Sequence, residues 1–154
     1  MSLSASTIAT AVAALSISGV TVKDVTAIPE SVVARDCPIL FPSPDGWVLG
    51  GNGEPDNGPT TFGTASTRLW TFNRTYRYVY LHEQVGATRG LKDVISSMAG
   101  KADLILAGFT TLDISDVDVQ RVAIGEFGVL EAPDGKAFFG CTIDATFRER
   151  LNNT

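Results

Sequence analysis

One run of seventeen residues constrains this chain more than any other. From Thr67 to Glu83 it reads Thr-Arg-Leu-Trp-Thr-Phe-Asn-Arg-Thr-Tyr-Arg-Tyr-Val-Tyr-Leu-His-Glu. It holds neither Gly nor Pro and is dense in aromatic and β-branched residues, which marks a β-strand. Fully paired, it extends roughly 55 Å. A single globule of 154 residues has a diameter of roughly 40 Å. One end of the strand must therefore leave the core or bend sharply. Trp70, Phe72, Tyr76, Tyr78 and Tyr80 share one face, interrupted by Arg74. The opposite face is polar up to Thr75 and more apolar after it. The pattern predicts a distal half buried on both faces and a proximal half buried on one. A bent strand, or two strands joined near Asn73-Arg74, is the alternative.

The segment before this strand is its opposite in texture. Gly50 to Ser66 carries Gly50, Gly51, Gly53, Gly58 and Gly63 with Pro55 and Pro59. Such composition predicts a projecting loop of about residues 50–66 that orders on contact with a neighbour. No Gly-Lys-Ser/Thr follows, so the glycines do not form a phosphate loop.

The rest reads as one domain over residues 1–154. Ser4 or Ser6 caps a first helix running to about Ser16, with Ile8, Val12 and Leu15 on one face. A short strand is expected within Val20 to Thr26. Cys37-Pro38-Ile39-Leu40-Phe41-Pro42, bracketed by prolines, predicts an edge strand. Ser43-Pro44-Asp45-Gly46 is a turn. Thr88 is placed to cap a central helix, Arg89 to Met98, with Leu91, Val94, Ile95 and Met98 as its stripe and Gly100 ending or kinking it. Leu104 to Ala107 reads as a last helical turn or a short strand. Arg121 to Glu131 and Lys136 to Arg150 flank Pro133-Asp134-Gly135 as a hairpin. The fold class is therefore α+β. A mixed, mostly antiparallel sheet, with its long strand and C-terminal hairpin, is packed by the N-terminal and central helices.

Chemistry is sparse. The net charge of -5 argues against general nucleic-acid affinity. Two cysteines and one histidine build no zinc motif, and Cys37 and Cys141 read as buried thiols. Asp113, Asp116 and Asp118 share calcium-loop spacing but lack its Gly and distal Glu. His82 has no nucleophile-elbow or metal-helix motif to serve. The reading is no enzyme, no cofactor and no metal. Ile8 to Ile17 lacks a preceding basic residue and is too short to span a bilayer, so the expectation is a soluble intracellular chain with an intact N-terminus.

The order of elements resembles the tail terminator (tail-completion) proteins of long-tailed bacteriophages. The residues that carry it are the alanine-rich first helix, the segment Cys37 to Pro42, the Gly/Pro loop and the Arg/Tyr strand ending Tyr78-Val79-Tyr80-Leu81. The central helix and the hairpin with Phe138-Phe139-Gly140-Cys141-Thr142-Ile143 complete it. The resemblance implies a structural virion protein, assembled in the host cytoplasm, that forms a hexameric ring. It implies the tail tube protein and the head-tail connector protein as partners. DNA would pass through the channel without specific binding, and no membrane would be involved. Another neck or tail subunit, or a small non-catalytic binding module, is the alternative. The candidate subunit interface is Gly50, Gly51, Gly53, Pro55, Gly58, Pro59, Phe62, Arg68, Trp70, Phe72 and Arg74. Asp113, Asp116 and Asp118 are the candidate channel-facing acids.

Overall fold

The computed structural model describes residues 5–24, 28–29, 32, 34–59, 69–86 and 90–152. The described residues fold as two α-helices on a seven-stranded sheet, so the α+β reading holds. In chain order the elements are α1 (Ala5–Ala13), β1 (Thr21–Val22), β2 (Ile39–Pro42), β3 (Val48–Pro59) and β4 (Leu69–Gln84). After them come α2 (Leu91–Thr110), β5 (Val117–Ile124), β6 (Gly128–Glu131) and β7 (Ala137–Asn152). The short β1–β2 pair is parallel and every other pair is antiparallel.

The long strand is a single element. β4 and β7 are each 16 residues long and pair from Leu69↔Asn152 to Gln84↔Phe138, with one irregularity between Leu81 and Glu83. Each outer edge of this central pair is met by an interrupted strand. On β4, β2 pairs with Tyr78 to Leu81, and β3 pairs with Trp70 to Tyr76. The turn between them is pinched onto Arg77, whose carbonyl accepts the Ser43 N–H (2.9 Å) and whose N–H donates to the Trp47 carbonyl (2.7 Å). On β7, β5 and β6 line up end to end, and Gly125 N–H bonds to the Thr142 carbonyl (2.8 Å) in the gap.

Side chains alternate across the sheet as strand geometry requires. Tyr76, Tyr78 and Tyr80 of β4 and Cys141, Ile143, Ala145 and Phe147 of β7 face the helices. Ile8 and Val12 of α1 and Ile105 and Phe109 of α2 close this core. Phe109 meets Tyr78 edge-on with ring centroids 5.8 Å apart, a favourable aromatic geometry. A smaller cluster on the other face joins Ile39, Phe41, Leu81 and Phe138 with Val32 and Ala132. It covers only the Leu81 end of β4. Arg77 and Val79 are consequently half-buried, so the distal half of β4 is closed on both faces only at Leu81 and His82.

Several expectations shift. The proline-bracketed strand is not an edge: β2 pairs with β1 on one side and β4 on the other. Its prolines sit at its ends, which leaves the ladder donors of Ile39 to Phe41 intact. α2 runs straight through Gly100 for 20 residues. Its buried stripe is Val94, Met98, Ala102, Ile105 and Phe109, while Ile95 is 43% exposed. Packing of that stripe outweighs the roughly 1 kcal/mol cost of an interior glycine. The helix starts at Leu91 and its cap is Gly90, whose N–H is taken by Asp93 Oδ2 at 3.1 Å; Thr88 lies outside the described residues. The 133–135 turn is as expected, with Gly135 at φ 86° and Ala132 N–H bonded to the Lys136 carbonyl (2.8 Å).

Close approach of the two long strands creates one sharp constraint. A Cβ on Gly140 would collide with the Tyr80 carbonyl on β4. Backbone cannot yield as a flexible side chain does, so Gly140→Ala is expected to destabilise by about 3 kcal/mol. Gly128 has open space around it, and Gly128→Ala should shift the urea midpoint far less.

Candidate assembly surface

Among the described residues the apolar core beneath the helices reaches Tyr76 and Phe147, Arg74 and Glu149 close it, and the strand pairing continues beyond them. From Asn73 to Leu69, β4 stays paired with β7 residues Arg148 to Asn152 and with β3 residues Glu54 to Pro59. Five residues of strand span roughly 16 Å. This ribbon carries the backbone of five of the eleven candidate interface residues, Pro55, Gly58, Pro59, Trp70 and Phe72.

The Gly/Pro stretch differs from its expected loop. Gly50, Gly51, Gly53, Pro55, Gly58 and Pro59 lie in β3, paired with β4 across two register shifts. The first shift falls between Leu49 and Glu54 and the second between Pro55 and Gly58. Gly50, Gly51 and Gly53 occupy the first, where extra residues leave the ladder and small side chains suit a bulge. Bulges thus reconcile this composition with a strand. Trp70 and Phe72 are on β4 opposite Leu151 and Glu149. Phe62 and Arg68, and the loop beyond Pro59, lie outside the described residues.

Arg74 corrects its expected role. It is 8% exposed and faces the core, where its Nε lies 3.3 Å from Glu149 Oε2. Glu149 is 2% exposed and also accepts the Tyr76 hydroxyl (3.3 Å). Burial raises the Glu149 carboxyl above its usual range, against the lowering pull of Arg74 and the Tyr76 bond. Burial, then the Glu149 charge, pushes the Tyr76 phenol up to about 12. Arg74 therefore closes the end of the core, under the base of the ribbon, and offers no charge to a neighbouring surface.

Beyond the smaller apolar cluster, the other sheet face is polar around Thr75 and Arg77. Arg77 holds Asp144 through two hydrogen bonds (2.8 and 3.0 Å), and the Thr75 and Thr146 hydroxyls meet at 2.8 Å. The Arg77 side chain is partly exposed, so the pair is screened by solvent. Asp144→Ala should cost only about 0.5 kcal/mol, less still at 1 M salt, by thermal unfolding.

The acids sit at the far edge. Asp113 and Asp116 are exposed on the turn after α2, with Asp116 in the left-handed region (φ 62°) that Asp tolerates. Asp118 is exposed on β5, opposite Arg148. Together they line a groove of about 670 Å³ between α2 and β5. β5 starts at Val117, four residues before the strand expected from Arg121. The signal was the alternation of Val117 and Val119, which the register shift before Arg121 puts out of phase with Val122 and Ile124.

The thiols are separated by the sheet. Cys141 lies beneath the helices and Cys37 packs with the smaller cluster on the other face, and burial raises both to about 11. Among the described residues no group of His, Cys, Asp and Glu is arranged to hold a metal ion. No described helix is long and apolar enough to cross a membrane. No protein-family model matches the chain, and no curated protein matches it either.

Proposed function

We propose that this chain is a structural virion subunit that closes into a ring on the phage tail tube and joins it to the head-tail connector. The observation that carries the reading is the β3–β4–β7 ribbon, whose strand pairing continues past the core formed by the described residues. A strand pair longer than its own core is costly to leave without a partner, and a binding module has no need of one. The two sides of the sheet also differ, with β3 on one edge and β5 and β6 on the other. A cyclic ring needs such a pair of unlike surfaces, because each subunit meets its neighbour head to tail. The ribbon supplies one surface, and α1 or the β5–β6 edge supplies the other. The order of elements that resembles the terminators supports the same reading.

The test mixes the purified chain with purified tail tubes and views them by negative-stain electron microscopy. Tubes capped at one end are expected. Tubes that stay uncapped and keep elongating would overturn the terminator role.

A further inference from the structure

We propose that the groove between α1 and α2 receives β6 of a second copy of this chain, with Val129 as the inserted side chain. The proposal rests on the ring reading and selects the β6 edge as the surface that meets the next subunit. Among the described residues four large apolar side chains are exposed: Val85, Ile95, Leu104 and Val129. Three of them fall on two opposite flanks of α2. Ile95 and Leu104 are nine residues apart, about two and a half turns, so they point to opposite sides of the helix. Leu104 faces α1. With Ala107 and Gly108 it lines a groove of about 520 Å³ whose other wall is Leu15 and Ile17. Ile95 shares its side of α2 with Leu91 and Leu106. Leu91 packs with Phe127 against the cluster of Met98 and Phe139, and Leu106 lines the groove along β5. Val129 stands opposite Phe139 in the β6–β7 ladder and so on the same sheet face, and at 56% it is the most exposed of the four.

Charge matches the two flanks. The groove is lined by Ala, Leu, Ile, Ser, Gly and Thr side chains, so it suits an uncharged insert. Lys101 stands at its rim, where Nζ donates to the carbonyl of Ser18 (3.0 Å), itself a lining residue. Asp103 is two residues from Lys101 and lies on the far side of the helix. On β6, Val129 and Glu131 are both exposed and project from one face, roughly 7 Å apart. Leu104 and Lys101 are three residues apart on α2, a spacing of about 5–6 Å. Val129 seated against Leu104 therefore brings Glu131 to Lys101. Lys136, near Glu131 in the turn, is engaged by Asp134 at 3.4 Å. A groove on one flank and its insert on another give the head-to-tail contact that a ring needs.

The test uses Leu104→Glu and Val129→Glu in the full-length chain. Both positions are exposed, and thermal unfolding of each variant should stay close to that of the parent. Each variant alone should lose rings at concentrations where the parent forms them, because a charge would enter an apolar contact. Mixed one to one, the two should pair, since Leu104→Glu keeps the β6 surface and Val129→Glu keeps the groove. Sedimentation velocity is expected to show this heterodimer with affinity at least about tenfold above the self-association of either variant. Glu131→Lys should weaken ring assembly about fivefold. Rings formed by both variants as readily as by the parent would overturn the contact and leave the ring reading standing. A mixture that stays monomeric, or a Glu131→Lys chain that assembles as the parent does, would overturn the contact as well. A parent that forms no rings would overturn both.

Discussion

Replacing Arg74 by Met is expected to lower the unfolding free energy by about 3–5 kcal/mol, because it strands the buried Glu149 carboxylate without its counter-charge. The loss should depend on pH. The folded chain holds the Glu149 proton more tightly than the unfolded chain does, since burial raises that carboxyl. Stability from this group is therefore fully present below the unfolded value, about 4.3, and falls as pH rises above it toward the folded value. Removing Arg74 raises the folded value further and widens that window. Arg74→Met should be most damaging at neutral pH and partly recover in acid. Pairing it with Glu149→Leu should recover most of the loss and flatten the pH dependence, because an apolar pair needs no compensation. Urea unfolding of the four proteins across pH 4 to 8 checks this. Equal stability of Arg74→Met and parent at neutral pH would contradict the buried pair.

Phe109→Ala should cost about 3–5 kcal/mol through the cavity left against Tyr78. Leu104 lies on the outer side of the same helix, 42% exposed, and Leu104→Ala should stay within about 0.5 kcal/mol of the parent. The contrast tests the phase of α2. Similar losses for both would mean that the helix is rotated, with Leu104 inward.

What could be read from the sequence followed from local pattern. The run from Thr67 to Glu83 holds no breaker and alternates cleanly, and it forms one strand within a residue or two of those limits. The Pro133-Asp134-Gly135 turn places its strands because the turn chemistry is local. Three features escaped because long-range contacts decide them. β3 was hidden by its glycines, which occupy bulges that only pairing with β4 makes useful. Gly100 looked like a helix end until the packing of Met98, Ala102 and Ile105 beneath α2 is counted. Arg74 looked like a surface charge because its partner, Glu149, lies at the far end of the chain and meets it only through the β4–β7 register. The same limit applies to the candidate assembly surface. The ribbon's length is legible in the sequence of β4, whereas the groove beside β5 exists only once α2 is docked.

In the proposed role this subunit assembles through unlike surfaces into a closed ring. Light scattering coupled to size-exclusion chromatography, over a wide range of concentrations, tests it most directly. A discrete species several times the mass of one chain, with rings in negative stain, is expected. The mass of a single chain at every concentration, with no rings, would contradict it.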